Sequence, residues 1–340
     1  MNMFLFRRDQ FNLLYNCTNI HIEDVPFENR RHVTEAIITI CLCAFYYILY
    51  IPCMLSIWKH RENACYKLLL YISITDLAIL WLLGFVHGIL SLIGAVYCSY
   101  PTFIYLAGVA VTAIWAAESV AEITLSINRC ISILSPHTEK ALFGGWKVYI
   151  WLFFTSCYAM YWAFCIKPVL FTGLHFSWFF NPYVGYIEDI NGTYENFTHT
   201  VHDIGMAIAI PSIYGIFFIA FTIKTRALGG SQEKGISSKQ KMMFLQIFVI
   251  SSLNMVACSI YVYMGYVSIN EGLIHVGEFC WFHIHGFPPV IYLTLNKTIR
   301  DDCKRMLKGL LEHGLAKKQL KIFFSDTSRV RPSNNNSSTL

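Results

Sequence analysis

Asp76, Glu118 and Glu122 stand inside long apolar runs of a 340-residue chain, where an ionisable side chain is expensive and its presence asks for a functional reason. Glu118 and Glu122 are i, i+4 and share one helix face, with Arg129 seven residues further along nearly the same face. Asn254, His283 and His285 add polar groups to later apolar runs. The two histidines point about 200° apart on a helix, so at most one joins the acids. A buried cluster of Asp76, Glu118, Glu122 and His285 could change its proton or cation occupancy between two packings of a helix bundle. The competing reading is protonated acids that only bridge helices. A membrane metallo-hydrolase would have to draw on His87, Asp76, His283 or His285, but His-x-His puts its rings on different faces and no ordered metal motif accompanies it. No metal, cofactor or enzymatic activity is therefore expected.

The elements that must position these groups follow from composition. The chain is 55% hydrophobic and 14% charged, with a mean hydropathy of +0.47; soluble domains carry about 25% charged residues. A soluble globular protein, a disordered chain and a small disulfide scaffold are excluded. The net charge of +5 gives no support to nucleic-acid binding. The fold class is an all-α membrane protein. Seven apolar segments meet the length of about 20 residues that a bilayer demands, near Thr34–Trp58, Tyr66–Ile93, Phe103–Leu134, Val148–Ile166, Ile204–Ile223, Met242–Tyr266 and Val276–Leu295. The fifth contains Pro211. No internal repeat suggests a transporter built from duplicated halves, and no signal peptide is expected.

Lysine and arginine placement sets the orientation. Of 26 basic residues, 21 fall in the loops after the first, third and fifth spans and in the tail, including the basic loop Lys224–Lys241. Arg7, Arg8, Arg30, Arg31 and Lys167 fall on the other side among more numerous acids, such as Glu188, Asp189, Asp203 and Glu278. This predicts an outside amino terminus, against the local vote of Arg30 and Arg31. The expected organisation is an extracellular tail (1–33), a seven-transmembrane domain (34–295), a short cytosolic amphipathic helix (296–311) and a disordered tail (312–340). Sequons at Asn16, Asn191 and Asn196 then lie outside, and those at Asn296, Asn335 and Asn336 lie inside and unused.

Most of the twelve cysteines fall in spans or on the reducing side. Cys17 and Cys98 belong to clearly extracellular segments and are expected to pair; two free thiols or a bridge to Cys280 are the alternatives. At the inner end of the third span, Asn128-Arg129-Cys130 offers either a snorkelling anchor or a switch residue for a cytosolic partner. Pro288-Pro289-Val-Ile-Tyr292 loosens the inner end of the seventh. Beyond it, Ile299, Cys303, Met306 and Leu310 form an apolar stripe flanked by Lys297, Arg300, Lys304, Arg305 and Lys308, the pattern of a helix lying on the inner leaflet. Cys303 on that stripe reads as a palmitoylation site or an unmodified cysteine facing the membrane.

Together, the seven spans, the third-helix arginine, Pro-x-x-Tyr in the seventh and the amphipathic helix resemble a rhodopsin-like G-protein-coupled receptor. The sequence departs from that pattern at Asn128, Cys130, Pro288 and Glu118, and its loop after the fourth span has no cysteine. More closely, it is similar to nematode serpentine chemoreceptors of class T (Srt), through Tyr15-Asn16-Cys17, Tyr50-Ile-Pro52-Cys53, Cys65-Tyr66-Lys67, Asp76, Tyr97-Cys98-Ser-Tyr-Pro101, Asn128-Arg129-Cys130 and the stretch from Pro289 to Arg300. The resemblance implies signalling through a heterotrimeric G protein at the plasma membrane, with a sensory cilium as the expected site, in response to an unidentified small molecule. Arg129 and its neighbours, with Pro289 and Tyr292, would form the coupling end. His87, Val111, Thr112, Trp115, Trp281 and the aromatic loop Phe176–Tyr186 would face the ligand. Receptor dimerisation stays open. The alternative is a seven-helix ligand-gated channel of odorant-receptor type, whose amino terminus would be cytosolic. Glycosidase digestion of the expressed chain should therefore give mobility shifts that disappear in Asn16→Gln, Asn191→Gln and Asn196→Gln and persist in Asn296→Gln; a cytosolic amino terminus would leave Asn16 unglycosylated.

Overall fold

The computed structural model describes residues 1–227, 249, 252–263 and 271–327. Two short helices, α1 (Asn2–Phe6) and α2 (Arg8–Leu14), precede the first long helix, α3 (Val33–Lys59). The second span is α4 (Ala64–Leu80), a π-helical turn (Trp81–Val86) and α5 (His87–Leu92). Then come α6 (Pro101–Leu134), α7 (Pro136–Phe143), α8 (Val148–Cys165), an antiparallel hairpin of β1 (Leu170–Thr172) and β2 (Ser177–Phe179), and α9 (Phe197–Ala227). The last elements are α10 (Ser252–Tyr263), α11 (Glu271–Gly286), α12 (Pro288–Leu295) and α13 (Lys297–Thr327).

Five helices among the described residues are long and apolar enough to cross a membrane. About half of the expected sixth span and the loop beyond residue 227 lie outside the described residues, as do Asn335 and Asn336. The seventh is divided at Phe287, where Pro288 and Pro289 cannot donate backbone hydrogen bonds. The bundle turns Ile48, Ile51, Leu55, Phe153, Phe154, Ile216 and Ile219 outward, a surface suited to lipid. At its centre stands α6, packed on α4, α8 and α9. Of its apolar window 61% is buried, against 17–44% for the other four spans. That burial is why the polar residues of α6 meet partners rather than lipid.

One end of the bundle is closed by the N-terminal segment and the hairpin. Cys17 and Cys98 form a disulfide, as the sorting of thiols by compartment anticipates. Phe11 and Tyr15 pack their rings on Tyr105, and the Tyr183 hydroxyl donates to the Asn16 carbonyl at 2.8 Å. Arg30, at odds with the charge rule, is 8% exposed and donates to the carbonyls of Val25 and Gly94 at 3.0 and 2.8 Å; it ties loops together rather than anchoring a membrane end. The hairpin can lie close on α6 because Gly108 has no side chain: a Cβ there would strike the Val169 carbonyl oxygen.

At the opposite end α13 folds back on α3. It continues to Thr327, past the expected boundary at 311. Its apolar stripe packs inward: Ile299 and Cys303 join Cys53, Ile57, Leu69 and Tyr292 in one cluster. Cys303, expected to carry an acyl chain or to face the membrane unmodified, is 9% exposed and packed against the bundle. Asp302 fixes this contact. It accepts from Ser56 Oγ at 2.9 Å, Lys59 Nζ at 3.0 Å and Arg305, with His60 Nε2 at 2.7 Å. Burial alone would raise its carboxyl, but the hydrogen bonds from Arg305, Lys59, His60 and Ser56 outweigh it and hold it well below the usual carboxylate range. A depressed folded-state value stabilises above the unfolded value of about 4 and is lost as pH falls through the folded one. Asp302→Asn should therefore lower the Tm of the detergent-solubilised chain by the same amount at pH 6 and pH 8, with the difference shrinking only below about pH 4.

Candidate functional site

Three helices bring the acids and one histidine together midway through the bundle. His285 Nδ1 on α11 stands 3.1 Å from Asp76 Oδ1 on α4 and 2.8 Å from Glu118 Oε1 on α6. The Tyr50 hydroxyl on α3 stands 2.7 Å from Asp76 Oδ2 and 2.8 Å from the His285 carbonyl. Asp76 is 0%, His285 1% and Glu118 2% exposed. The ligand-capable atoms of the three lie within 4.8 Å of one another. Among the described residues Glu118 Oε2 and His285 Nε2 have no hydrogen-bond partner, so the cluster has donor and acceptor capacity in reserve. Chemically it can hold a proton shared among imidazole and carboxylates, or a cation among them.

Glu122 does not enter this cluster. One turn further along α6, its Oε2 accepts from Asn254 Nδ2 on α10 at 3.1 Å. His283 points elsewhere, among the rings of Tyr46, Phe279 and Phe287. Towards the α13 end, Asn128 Nδ2 donates to Glu139 Oε1 on α7 at 3.1 Å. Arg129 lies among Cys65, Tyr214 and Tyr292, Cys130 packs on Phe217, and the Pro289 carbonyl accepts from Cys53 Sγ at 3.8 Å. Tyr292 is buried and joins the α3–α13 cluster.

On the other side of the acid cluster, a cavity of about 1100 Å³ opens between α6, α9, α10, α11 and the loop after the hairpin. Thr112, Trp115 and Trp281 line it, together with part of the expected aromatic loop. Val111 is instead fully buried in the core. His87 lies beneath the hairpin, its Nδ1 accepting from Trp178 Nε1 at 3.1 Å and its ring 4.3 Å from that of Phe176. Neither of the two is among the residues lining the cavity.

Two acids that sequence reasoning counted only among the acids of the outer side are buried. Asp203 falls six residues into α9, because that helix starts at Phe197 rather than Ile204; it is 2% exposed and lines the cavity. Glu278 on α11 is 5% exposed and pins the hairpin. Its Oε1 accepts from Ser177 Oγ at 2.5 Å, the Trp178 amide at 3.2 Å and the Tyr261 hydroxyl at 3.3 Å. His199, Tyr261 and Cys258 complete the cavity wall. The signal was local: His199 and Asp203 are i, i+4, the spacing of a helical pair in what hydropathy marks as a loop.

Comparison with known proteins identifies the family. A sequence model of the family described as "Serpentine type 7TM GPCR chemoreceptor Srt" matches residues 1–313. Among curated proteins, "Serpentine receptor class T-55" of Caenorhabditis elegans is 22% identical over 243 residues, which cover 72% of this chain and 65% of the relative. The chain thus spans just under two thirds of that relative's length.

Removing one member of a buried charged group leaves the others uncompensated, typically at a cost of about 3–5 kcal/mol. His285→Ala should accordingly lower the Tm in detergent strongly, and adding Glu118→Gln in the same chain should restore part of the loss. Melting curves of wild type, both single variants and the double variant check the coupling.

Proposed function

Because the chain belongs to the serpentine 7TM GPCR chemoreceptor Srt family, a family of seven-transmembrane chemosensory receptors, we propose that it binds a small molecule in the cavity beside the hairpin and activates a heterotrimeric G protein at the opposite, α13 end. On this reading it resides in the plasma membrane of a sensory cell, with a ciliary location in keeping with chemosensation. The N-terminal face is extracellular and α13 lies on the cytosolic side, as the distribution of basic residues favours.

The observation that carries the proposal is continuity between cavity and cluster. Trp281 lines the cavity, and His285 lies four residues along the same face of α11, bound to Asp76 and Glu118. Asn254 also lines the cavity and donates to Glu122. A ligand that shifts Asn254 disturbs a hydrogen bond to the Glu122 carboxylate, and one that shifts Trp281 acts on the helix that carries His285. A neutral imidazole has one N–H to offer, whereas Asp76 and Glu118 both approach Nδ1. One proton or cation therefore decides how tightly α4, α6 and α11 are drawn together. Beyond the cluster, the α12 segment carries Pro289 and Tyr292 to the surroundings of Arg129. Loosening α11 and α12 would free Arg129, with Asn128 and Cys130 beside it, to meet the G protein, and the basic loop Lys224–Lys241, which lies largely outside the described residues, would add positive charge to that face.

The test is a signalling screen against a broad odorant panel in cells expressing the full chain. An agonist response is expected to fall at least about 10-fold in Arg129→Ala and to change in potency in Asp76→Asn, at unchanged surface expression. It should vanish in cells lacking the relevant Gα subunits. A response that persists in those cells overturns G-protein coupling.

A further inference from the structure

With the cavity taken as the ligand site, we infer that its occupant is an organic cation, a protonated amine or quaternary ammonium, held by Asp203 and the rings around it. This deepens the functional reading above and rests on it.

Asp203 is the buried carboxyl group of the cavity wall. It is 2% exposed. Among the described residues its Oδ2 accepts no hydrogen bond, although His199 Nδ1 stands 3.3 Å away, and the Cys258 thiol is a further polar contact of the carboxyl group. A carboxylate so far from water is stable as an anion only beside a positive charge. No lysine or arginine is found among the described residues that line the cavity. The one nearby ammonium in the loop, Lys167, is committed elsewhere: it donates to the Thr193 carbonyl and lies 5.9 Å from the Tyr194 ring centroid. His199 is the titratable neighbour that faces Asp203, and it is itself walled by Trp115, Trp162, Phe180 and Tyr261.

The remaining walls suit a cation as well. Trp115, His199, Tyr261 and Trp281 form a continuous chain of rings, with successive centroids 5.2, 6.5 and 5.8 Å apart. Electron-rich faces of Trp and Tyr attract ammonium groups, most strongly where water is excluded. At the rim, Glu188, Asp189 and Glu195 add three carboxylates and no base. Asp189 is partly spent on the loop itself, accepting from the amides of Thr193 and Tyr194 at 2.7 Å each. Glu188 and Glu195 are left to draw cations towards the mouth. An anionic ligand would meet four carboxyl groups, with the imidazoles of His175 and His199 as the basic side chains among the described lining residues. A neutral apolar one would bring the Asp203 carboxyl no new partner. A cation meets both requirements.

Matched probes decide the question whatever the natural ligand is. The full chain in detergent is titrated with benzyltrimethylammonium, its neutral carbon isostere neopentylbenzene, and the anion benzylphosphonate, with tetramethylammonium, choline and phenethylamine as further cations; binding is read as a rise in Tm. At least one cation is expected to bind, and benzyltrimethylammonium at least about 10-fold more tightly than neopentylbenzene. Asp203→Asn should weaken that binding about 100-fold. Trp115→Leu serves as a second variant, expected to weaken cation binding several-fold while sparing the isostere. Equal binding of the isostere, preference for the phosphonate, or no shift with any of the cations overturns the inference. Signalling in cells is measured in parallel. Cations that bind without signalling leave the inference standing and overturn the receptor reading; neutral or anionic probes that bind and signal do the reverse.

Discussion

His285 Nδ1 is the point on which α4, α6 and α11 converge, and the bundle depends on that meeting because lipid offers a buried carboxylate no other partner. Asp76 and Glu118 each reach it within hydrogen-bond distance, and Tyr50 brings α3 into the same group. In water such an arrangement would be worth little; with the three members 0–2% exposed, each contact is strengthened and each loss is costly. The helices cannot slide past one another without breaking it. That constraint ties the positions of α4, α6 and α11 to one another at this point.

Around this centre the two ends are built differently. The N-terminal end is held by covalent and aromatic contacts: the Cys17–Cys98 disulfide, the rings of Phe11, Tyr15 and Tyr105, and a hairpin pinned by Glu278. The α13 end is held by one carboxylate, Asp302, and its basic and hydroxyl partners. A disulfide and ring packing resist displacement, whereas partners such as Lys59 and Arg305, 60% and 70% exposed, exchange readily with water or with another molecule. The rigid end surrounds the cavity, and the exchangeable end lies beside Arg129.

Much of this was legible in the sequence, and the reasons differ by residue. Hydropathy located the membrane-spanning segments because about 20 apolar residues have few other fates. The pairing of Cys17 with Cys98 followed from where the remaining thiols fall. Helical spacing placed Glu118 and Arg129 on an inward face, and it separated His283 from His285. What periodicity could not supply was tertiary cover. Asp203 stands just before the expected fifth span and Glu278 just inside the expected seventh, where hydropathy does not tell a wet helix end from a covered one; the hairpin and its loop fold over these acids. The inward turn of Cys303 has the same origin, since an amphipathic stripe looks alike whether it meets lipid or the foot of α3.

The π-helical turn at Trp81–Val86 sets the angular phase of everything beyond it. His87 comes eleven residues after Asp76, and an uninterrupted α-helix would return it to within about 20° of the same azimuth. A wide turn takes up about one extra residue, which winds the remainder back by roughly 100°. His87 is thereby steered away from the acid line and under the hairpin, where Trp178 donates to it. The second span works as two half-helices clocked for different audiences, the first for the polar centre and the second for the lid. A single misplaced hydrogen-bond ring keeps a fourth titratable group out of the cluster.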